Sequence, residues 1–299
     1  MTSATISAAA AGTWTLGDLT VNRLGFGAMR LTGSRPLDPE ARPSDRGLSV
    51  EVLRRAVELG VNHIDTAAFY FSALRSANEL INSALAPYPP DLVITTKIGP
   101  GRDADGNWQG MARPEQLRGQ VEENLRQLGR DHLDVVNLRR IPSEIPWAEH
   151  VGAMADLRRA GLIRHVGVSA IKPEHLAEAL AITPVVCVQN SYSVDHRAAE
   201  PLLRMCGEQR IAFVPFFAIA GQQREDGAGG PEDARVEEIA RARAATPAQI
   251  RIAWTLAQGD HVLAIPGTGN PHHLDENVAA AGIRLSDAEL ARIGAPEPQ

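Results

Sequence analysis

The chain has 299 residues, of which 44% are hydrophobic and 22% are charged, and its formal net charge is −6 at pH 7. These values are typical of a globular protein. They exclude a strongly basic nucleic-acid-binding surface, and no apolar run approaches the ~20 residues that a membrane-spanning helix needs.

The first twelve residues are rich in Ala, Ser and Thr and lack the basic region and apolar core of a signal peptide. We therefore expect a flexible N-terminal tail at 1–12, followed by one folded domain at 13–299. The two cysteines lie far apart without metal-binding or redox spacing, which favours a reducing compartment. These features predict a cytoplasmic monomer or small homo-oligomer that binds neither nucleic acid nor membranes.

The predicted elements begin with a β-hairpin, because segments 13–16 and 19–22 flank the turn residues Gly17 and Asp18. Eight later apolar segments are predicted to be strands, at 24–27, 61–64, 92–96, 133–138, 163–168, 185–188, 211–214 and 262–265. Segments predicted to be helices follow at 50–59, 74–85, 114–128, 147–160, 173–181, 198–209, 232–244, 247–258 and 271–280. A long loop is expected at 33–47, and Ser49 is expected to cap the first helix.

Strands that alternate with helices and are apolar on both faces indicate a parallel sheet covered on both sides. Eight such units in roughly 250 residues predict a single α/β domain, a (β/α)8 TIM barrel. A doubly wound sheet with an appended domain is the alternative, but no linker or change in composition marks a boundary. The N-terminal hairpin and several long loops are additions to the barrel.

Titratable residues follow two of the predicted strands. Asp65 and, five positions later, Tyr70 follow the strand at 61–64, and Lys97 ends the strand at 92–96. The active sites of TIM barrels lie at the carboxyl ends of the strands, so these three side chains are predicted to share one site. Any one of them alone is more simply a surface or half-buried residue.

Motifs along the chain resemble those of the aldo-keto reductases. They are GFGAMR at 25–30, HIDTA at 63–67 with Tyr70, TTK at 95–97, GLIRHVGVS at 161–169, Gln189 with Tyr192, and IPGT at 265–268 leading to Glu276 and Asn277. Segments 133–139 and 214–217 look most like a bacterial branch that includes pyridoxal reductases. The resemblance extends from Thr13 to Ile293 and also implies a TIM barrel.

The resemblance implies NADPH-dependent reduction of an aldehyde or ketone to an alcohol. Hydride delivered to a carbonyl carbon leaves negative charge on oxygen, which a positioned acid must neutralise. Tyr70 is the expected acid, because an ammonium at Lys97 favours the phenolate and so strengthens the phenol as a donor. Asp65 is expected to hold that ammonium. The family's histidine at the end of the fourth strand is replaced by Arg139, which is expected either to polarise or bind substrate or to tie loops together.

The resemblance also implies which residues bind the cofactor. The residues assigned to it are Gly27, Ala28, Met29, Ser169, Gln189, Phe216, Phe217, Gly267, Thr268, His273, Glu276 and Asn277. NADPH is the expected cofactor, with NADH as the alternative, because His273 stands where relatives often place Arg or Lys for the 2′-phosphate. The Gly-rich loop 221–230 is either a flap over the cofactor or a disordered connection. No metal site is predicted, because His272 and His273 lack a third ligand at metal spacing.

Two other functions remain open. The chain could oxidise an alcohol or epimerise a specialised substrate in a biosynthetic pathway. It could instead be a weakly catalytic, nucleotide-binding regulatory subunit, since Arg139 replaces histidine and Phe71 replaces the glycine that commonly follows the tyrosine. The substrate loops at 31–47, 71–75, 100–112 and 140–147 would distinguish these functions, and Trp108 and Trp147 are candidate pocket walls.

Overall fold

A computed structural model of the chain describes residues 6–33, 44–103, 105–219 and 233–294. Its strands are β1 (Thr13–Leu16), β2 (Leu19–Asn22), β3 (Phe26–Gly27), β4 (His63–Asp65), β5 (Phe71–Ser72), β6 (Arg75–Ser76), β7 (Val93–Ile98), β8 (Pro100–Arg102), β9 (Trp108–Met111), β10 (Leu133–Arg139), β11 (Ile163–Ser169), β12 (Val185–Gln189) and β13 (Ala212–Phe213). Its α-helices are α1 (Arg46–Glu58), α2 (Ala77–Leu85), α3 (Leu117–Leu128), α4 (Trp147–Arg159), α5 (Pro173–Leu180), α6 (Glu200–Glu208), α7 (Ala234–Ala242), α8 (Pro247–Leu256), α9 (Pro271–Ala279) and α10 (Asp287–Gly294).

Seven parallel strands form the main sheet, in the spatial order β3, β4, β7, β10, β11, β12 and β13. The segment after α8 joins the two edges of this sheet, because Val262 bridges to Phe213 and Ala264 bridges to Leu24. The amide of Gly25 donates to the carbonyl of Ala264 at 2.8 Å, and further backbone hydrogen bonds run to both edge strands. The predicted (β/α)8 barrel is confirmed, although its eighth strand pairs only at 262 and 264.

The hairpin of β1 and β2 closes the amino-terminal end of the barrel. Its Leu16 and Val21 are fully buried and pack with residues that fill the barrel interior, which are Val93, Val135, Cys187, Ala212, Val214 and Leu263. The carboxylate of Asp18 in the turn accepts hydrogen bonds of 2.6 Å from both Arg164 and His165. Since the hairpin covers this end, the carboxyl ends of the strands are the end of the barrel that the described residues leave for a ligand.

The structure corrects the predicted tail at 1–12. Residues Ala8–Ala11 form a 3-10 helix, Ala8 and Ala11 are buried, and the amide of Ala8 donates to the carbonyl of Leu59 at 2.8 Å. Small Ala side chains allow this segment to pack closely on the loop after α1. Residues 1–5 lie outside the described residues.

Two helix starts also differ from the prediction. Asp45 caps α1 by accepting the Leu48 amide at 2.9 Å, so the helix begins at Arg46, and Ser49 lies inside it. The short antiparallel pair β5 and β6 occupies 71–76, which delays α2 until Ala77.

The hairpin of β8 and β9 and the helix α10 were not predicted from the sequence. Much of the loop at 31–47, the whole loop 221–230 and residues 295–299 lie outside the described residues. None of the described helices is long and apolar enough to cross a membrane.

Candidate active site

An ion pair between β4 and β7 forms the centre of the site. Side chains alternate along a strand, and Asp65 and Lys97 both face the barrel interior near the carboxyl ends of their strands. Both residues are almost fully buried, at 3% and 2% exposure. The Lys97 ammonium donates to Asp65 Oδ1 and, at 3.1 Å, to the backbone carbonyl of Thr66.

Tyr70 reaches the same ion pair from the turn that follows β4. The amide of Tyr70 donates to the Ala67 carbonyl at 3.0 Å, and its own carbonyl accepts the Ala77 amide at the start of α2. These backbone bonds place the phenol ring beside Lys97, whose Nζ lies 5.0 Å from the ring centroid. The structure therefore brings together the three residues that the sequence predicted as a catalytic set.

The charge state of Lys97 follows from these contacts. Burial alone lowers the pKa of a lysine, but the carboxylate of Asp65 and the neighbouring Tyr70 outweigh burial, so the pKa of Lys97 is raised. The ammonium is therefore charged at neutral pH. A fixed cation beside a phenol stabilises the phenolate that remains after proton transfer, so this arrangement suits Tyr70 to act as a general acid.

Two buried polar atoms on β11 and β12 have no partner among the described residues. Gln189 Nε2 donates to Asp65 Oδ2 at 2.5 Å, which directs its Oε1 away from the carboxylate. That Oε1 and Ser169 Oγ make no hydrogen bond, although both residues are fully buried. Buried polar atoms usually have a hydrogen-bond partner. A ligand that offers an amide donor to Gln189 Oε1 and a carbonyl acceptor to Ser169 Oγ would therefore fit this pair. A carboxamide group has both.

A cavity of about 220 Å³ opens above the ion pair. Tyr70, Lys97 and Arg139 contribute polar atoms to it, and its walls include Phe69, Trp108, Phe216, Phe217, Ile219, Met29, Gly27, Pro266 and Gly267. Trp108 is thus a pocket wall, as the sequence suggested. Trp147 is not part of this wall, because it lies at the start of α4 with its indole N–H donating to the His175 carbonyl at 3.1 Å.

Arg139 ends β10 and stands over the Phe216 ring, with its guanidinium carbon 5.4 Å from the ring centroid. Among the described residues it forms no ion pair. Phe217 has a φ of +63°, a left-handed conformation that costs an aromatic residue energy. The two adjacent rings pack edge to face at 5.1 Å.

Of the predicted cofactor residues at 267–277, Gly267 lines this cavity, and the others follow it in the loop before α9 and on α9 itself. A Cβ at Gly267 would stand 2.3 Å from the Gly27 carbonyl oxygen, so only glycine allows these two strand ends to approach so closely. Asn270 caps α9 by accepting the His272 amide at 2.9 Å. Asn277 is buried on α9, and Ala28, which is also buried, begins a 3-10 helix after β3.

The structure corrects the expectation that His272 and His273 lack a third ligand at metal-binding spacing, because the carboxylate of Glu276 lies near both. Ligand atoms of these histidines and of Glu276 lie within 4.8 Å of one another on α9. His272 Nδ1 lies 3.8 Å from the Glu276 carboxylate, and both histidines are exposed.

Sequence reasoning missed three features of the site. Phe69, immediately before Tyr70, packs edge to face on that ring at 5.2 Å and also contacts Trp108. The hydrogen bond from Gln189 to Asp65 joins residues 124 positions apart, so no local pattern reports it. Asn78 is fully buried behind Thr66, and an amide on the buried face of a predicted helix was the available signal.

His63, two residues before Asp65, provides a test of pH dependence. Burial lowers the pKa of His63 to about 4 from 6.5, with a further lowering from Lys97 that Asp65 opposes. Between these two values the unfolded chain binds one more proton than the folded chain, so stability falls as pH falls. The loss is on the order of 3 kcal/mol across that window.

We expect His63→Gln to flatten the decline in unfolding free energy between pH 6.5 and about 4, measured by denaturant titration at each pH. His272→Gln is the control, because its side chain is 78% exposed. Equal slopes for the wild type and His63→Gln would show that His63 takes up its proton without cost.

Comparisons with known proteins agree with this geometry. The model of the Aldo/keto reductase family matches residues 23–296. The chain is 40% identical over 287 residues to pyridoxine 4-dehydrogenase of Escherichia coli (strain K12), covering 94% of this chain and 96% of that protein.

Solved structures show the same relationship. The thermostable aldo-keto reductase Tm1743, solved with the inhibitor epalrestat, is 31% identical with a TM-score of 0.78, covering 93% of this chain and 96% of that one. An aldo-keto reductase from Klebsiella pneumoniae, solved with NADPH, is 28% identical with a TM-score of 0.75, covering 92% and 90%. The chain therefore belongs to the aldo/keto reductase family and is an NAD(P)H-dependent oxidoreductase.

Proposed function

We propose that this protein reduces an aldehyde to an alcohol, with Tyr70 as the proton donor. The observation that carries the proposal is the buried set of Asp65, Lys97 and Tyr70 at the base of the cavity. A buried ion pair contributes little to stability compared with apolar packing, so a paired acid and lysine beside a phenol are better explained by chemistry.

The proposed mechanism assigns one task to each residue. NADPH, when bound, supplies the hydride. The Tyr70 hydroxyl donates its proton to the substrate oxygen as negative charge develops there. The Lys97 ammonium stabilises the resulting phenolate, while Asp65 and the Thr66 carbonyl hold the ammonium in place. Gln189 restrains the other oxygen of Asp65, so the carboxylate has little freedom to turn.

NADPH is the cofactor, and Ser169 and Gln189 fit its carboxamide because their orphaned atoms supply one donor and one acceptor. We further propose that Phe216 and Phe217 pack beside the nicotinamide. Gly27, Ala28, Met29, Gly267 and Thr268 are proposed to border the phosphates, and His273, Glu276 and Asn277 the adenosine end.

Ser169→Ala tests this assignment. Because Ser169 Oγ has no partner among the described residues, its removal should change the unfolding free energy by less than about 0.5 kcal/mol. The Kd for NADPH should rise roughly five- to tenfold, since one hydrogen bond contributes about 1 kcal/mol. Fluorescence titration with NADPH measures the change.

Ser49→Ala is the matched control for that variant. Ser49 is equally buried but donates to the Leu31 carbonyl at 3.1 Å, so its loss should lower stability and leave the NADPH affinity unchanged. An unchanged Kd in Ser169→Ala would remove Ser169 from the cofactor site.

The walls of the cavity favour a ring-bearing aldehyde. Phe69, Trp108 and Phe216 offer aromatic surface, and Arg139 offers a cation without an ion-pair partner among the described residues. Pyridoxal combines an aromatic ring, an aldehyde and a phenolic oxygen that a guanidinium can bind. The relative named pyridoxine 4-dehydrogenase points to the same compound and to its alcohol.

The experiment is a screen of pyridoxal, simple aromatic aldehydes and ketosugars, with NADPH and with NADH, followed by nicotinamide absorbance. We expect pyridoxal with NADPH to have the highest kcat/KM. Turnover only in the direction of alcohol oxidation would favour the biosynthetic alternative. The absence of turnover with every compound, despite tight NADPH binding, would favour a regulatory subunit and refute the proposed reduction.

A further inference from the structure

A chain of buried amides and hydroxyls lies on the outer side of the barrel, directly behind the ion pair. Thr66 and Thr96 neighbour Asp65 and Lys97 in sequence, so their side chains point outwards towards α2 and α3. There they meet Asn78 of α2 and Asn124 of α3. All four of these residues are fully buried, with exposures of 0%.

The hydrogen bonds among these residues form one connected set. Thr66 Oγ1 donates to Asn78 Oδ1 at 2.8 Å, and Asn78 Nδ2 donates to Asn124 Oδ1 at 3.0 Å. Thr96 Oγ1 donates to that same Asn124 oxygen at 2.6 Å. The second protons of the two amides go to Gln127 Oε1 and to the Gln120 carbonyl.

This pattern leaves neither amide free to turn over. A flipped Asn124 would point its NH₂ group at the NH₂ of Asn78 and at the hydroxyl of Thr96, whose proton would then lack its acceptor. Flipping Asn78 would place its carbonyl oxygen opposite the side-chain oxygens of Asn124 and Gln127, and its NH₂ group would face the hydroxyl of Thr66, whose proton would then lack its acceptor. Because a buried, unsatisfied donor costs about 1–3 kcal/mol, the network has one stable arrangement.

The network bears directly on the position of the Lys97 ammonium. Thr66 supplies the backbone carbonyl that accepts a hydrogen bond from Lys97 Nζ, and Thr96 is the residue immediately before Lys97 in the sequence. Asn124 is linked to both threonines, to Thr96 directly and to Thr66 through Asn78. It therefore links the ends of β4 and β7, the two strands across which the ion pair forms.

We propose that Thr66, Thr96, Asn78 and Asn124 form a positioning network that holds the Lys97 ammonium at the distance from Tyr70 that proton donation requires. This proposal rests on the proposed roles of Tyr70 and Lys97. The four residues touch neither substrate nor cofactor in the proposed site, so they act through Lys97. The network should therefore govern kcat and leave the substrate KM and the NADPH Kd largely unaltered.

The test compares substitutions that remove a hydroxyl with substitutions that keep it. Thr66→Val and Thr96→Val preserve shape and lose the donor, whereas Thr66→Ser and Thr96→Ser preserve the donor. We expect each valine variant to lower kcat by about ten- to a hundredfold, because misplacement on the order of 1 Å has that effect. KM should change less than about twofold, and the serine variants should recover most of the wild-type kcat.

Thr255→Val is the matched control, because Thr255 is equally buried and its hydroxyl donates to the Arg251 carbonyl within α8, outside the network. It should lose comparable stability and keep wild-type kcat. Equal kcat values for Thr66→Val, Thr96→Val and Thr255→Val would overturn the proposal, as would serine variants that are as slow as the valine variants.

A measurement without turnover separates this proposal from the proposed function. The Lys97 ammonium should give a ¹H–¹⁵N signal, identified by its loss in Lys97→Met, that shifts or broadens in the valine variants and stays in place in the serine variants. If the wild type reduces no carbonyl while this response is present, the proposed reaction fails and the positioning network stands. If the signal does not respond, the network does not hold Lys97.

Discussion

Tyr70→Phe should lower kcat by about 10²- to 10⁴-fold, the range that a positioned general acid contributes. The substitution removes only the hydroxyl, and the ring keeps its contact with Phe69 and its place beside Lys97. The NADPH Kd and the melting temperature should therefore remain close to wild-type values. Stopped-flow absorbance in a single turnover measures the hydride-transfer rate directly, separate from product release.

Tyr88→Phe is the matched control for that variant. Tyr88 donates to the Leu128 carbonyl at 2.6 Å, well away from the cavity lining, so its loss should affect stability and leave kcat unchanged. A Tyr70→Phe enzyme with near-wild-type turnover would assign proton donation to another group. Arg139 would not replace it as a donor, because a guanidinium holds its proton at neutral pH.

Lys97→Met should produce the largest loss of stability among single substitutions at the site. It leaves the Asp65 carboxylate almost fully buried, with Gln189 as its remaining side-chain partner among the described residues. Breaking a buried ion pair in this way costs about 3–5 kcal/mol of unfolding free energy. Denaturant titration at neutral pH measures this loss, and turnover should also be abolished.

Two controls distinguish the stability lost through the unpaired buried charge from the stability lost through poorer packing. Lys97→Met with Asp65→Asn removes both charges, so it should recover much of the lost stability while activity stays absent. Arg292→Met breaks an ion pair with Glu238 whose side chains are about half exposed, and because solvent screens such a pair it should lower stability far less than Lys97→Met does. If Lys97→Met were as mild as Arg292→Met, the Asp65 carboxylate would have to be solvated or protonated.

The prediction of the barrel rested on local signals. Short apolar segments alternate along the chain with segments of helical periodicity, and both patterns can be recognised from the order of the residues. Eight such units in one chain are compatible with few architectures. The same reasoning placed Asp65 and Lys97 at one end of the barrel, because the carboxyl ends of parallel strands lie on the same side of the sheet. Tyr70 followed from its spacing to Asp65 in a family motif.

Features that depend on close packing were not predicted from these local signals. The cap of α1 is Asp45 and not Ser49, because capping depends on which oxygen reaches the free amide. The expected tail at 1–12 is in part a packed 3-10 helix, because its small side chains fit against residues after α1. The last barrel strand is shorter than its apolar segment, since pairing depends on both neighbours.

The sequence by itself therefore determined the barrel, the family resemblance and the residues capable of acid–base chemistry. Only the tertiary structure decided how those residues are held. Gln189 meets Asp65 from 124 positions away, and Thr66 and Thr96 meet through Asn78 and Asn124. Periodicity reports which face of an element is buried, whereas hydrogen-bond partners depend on how separate elements pack together to within a few tenths of an ångström.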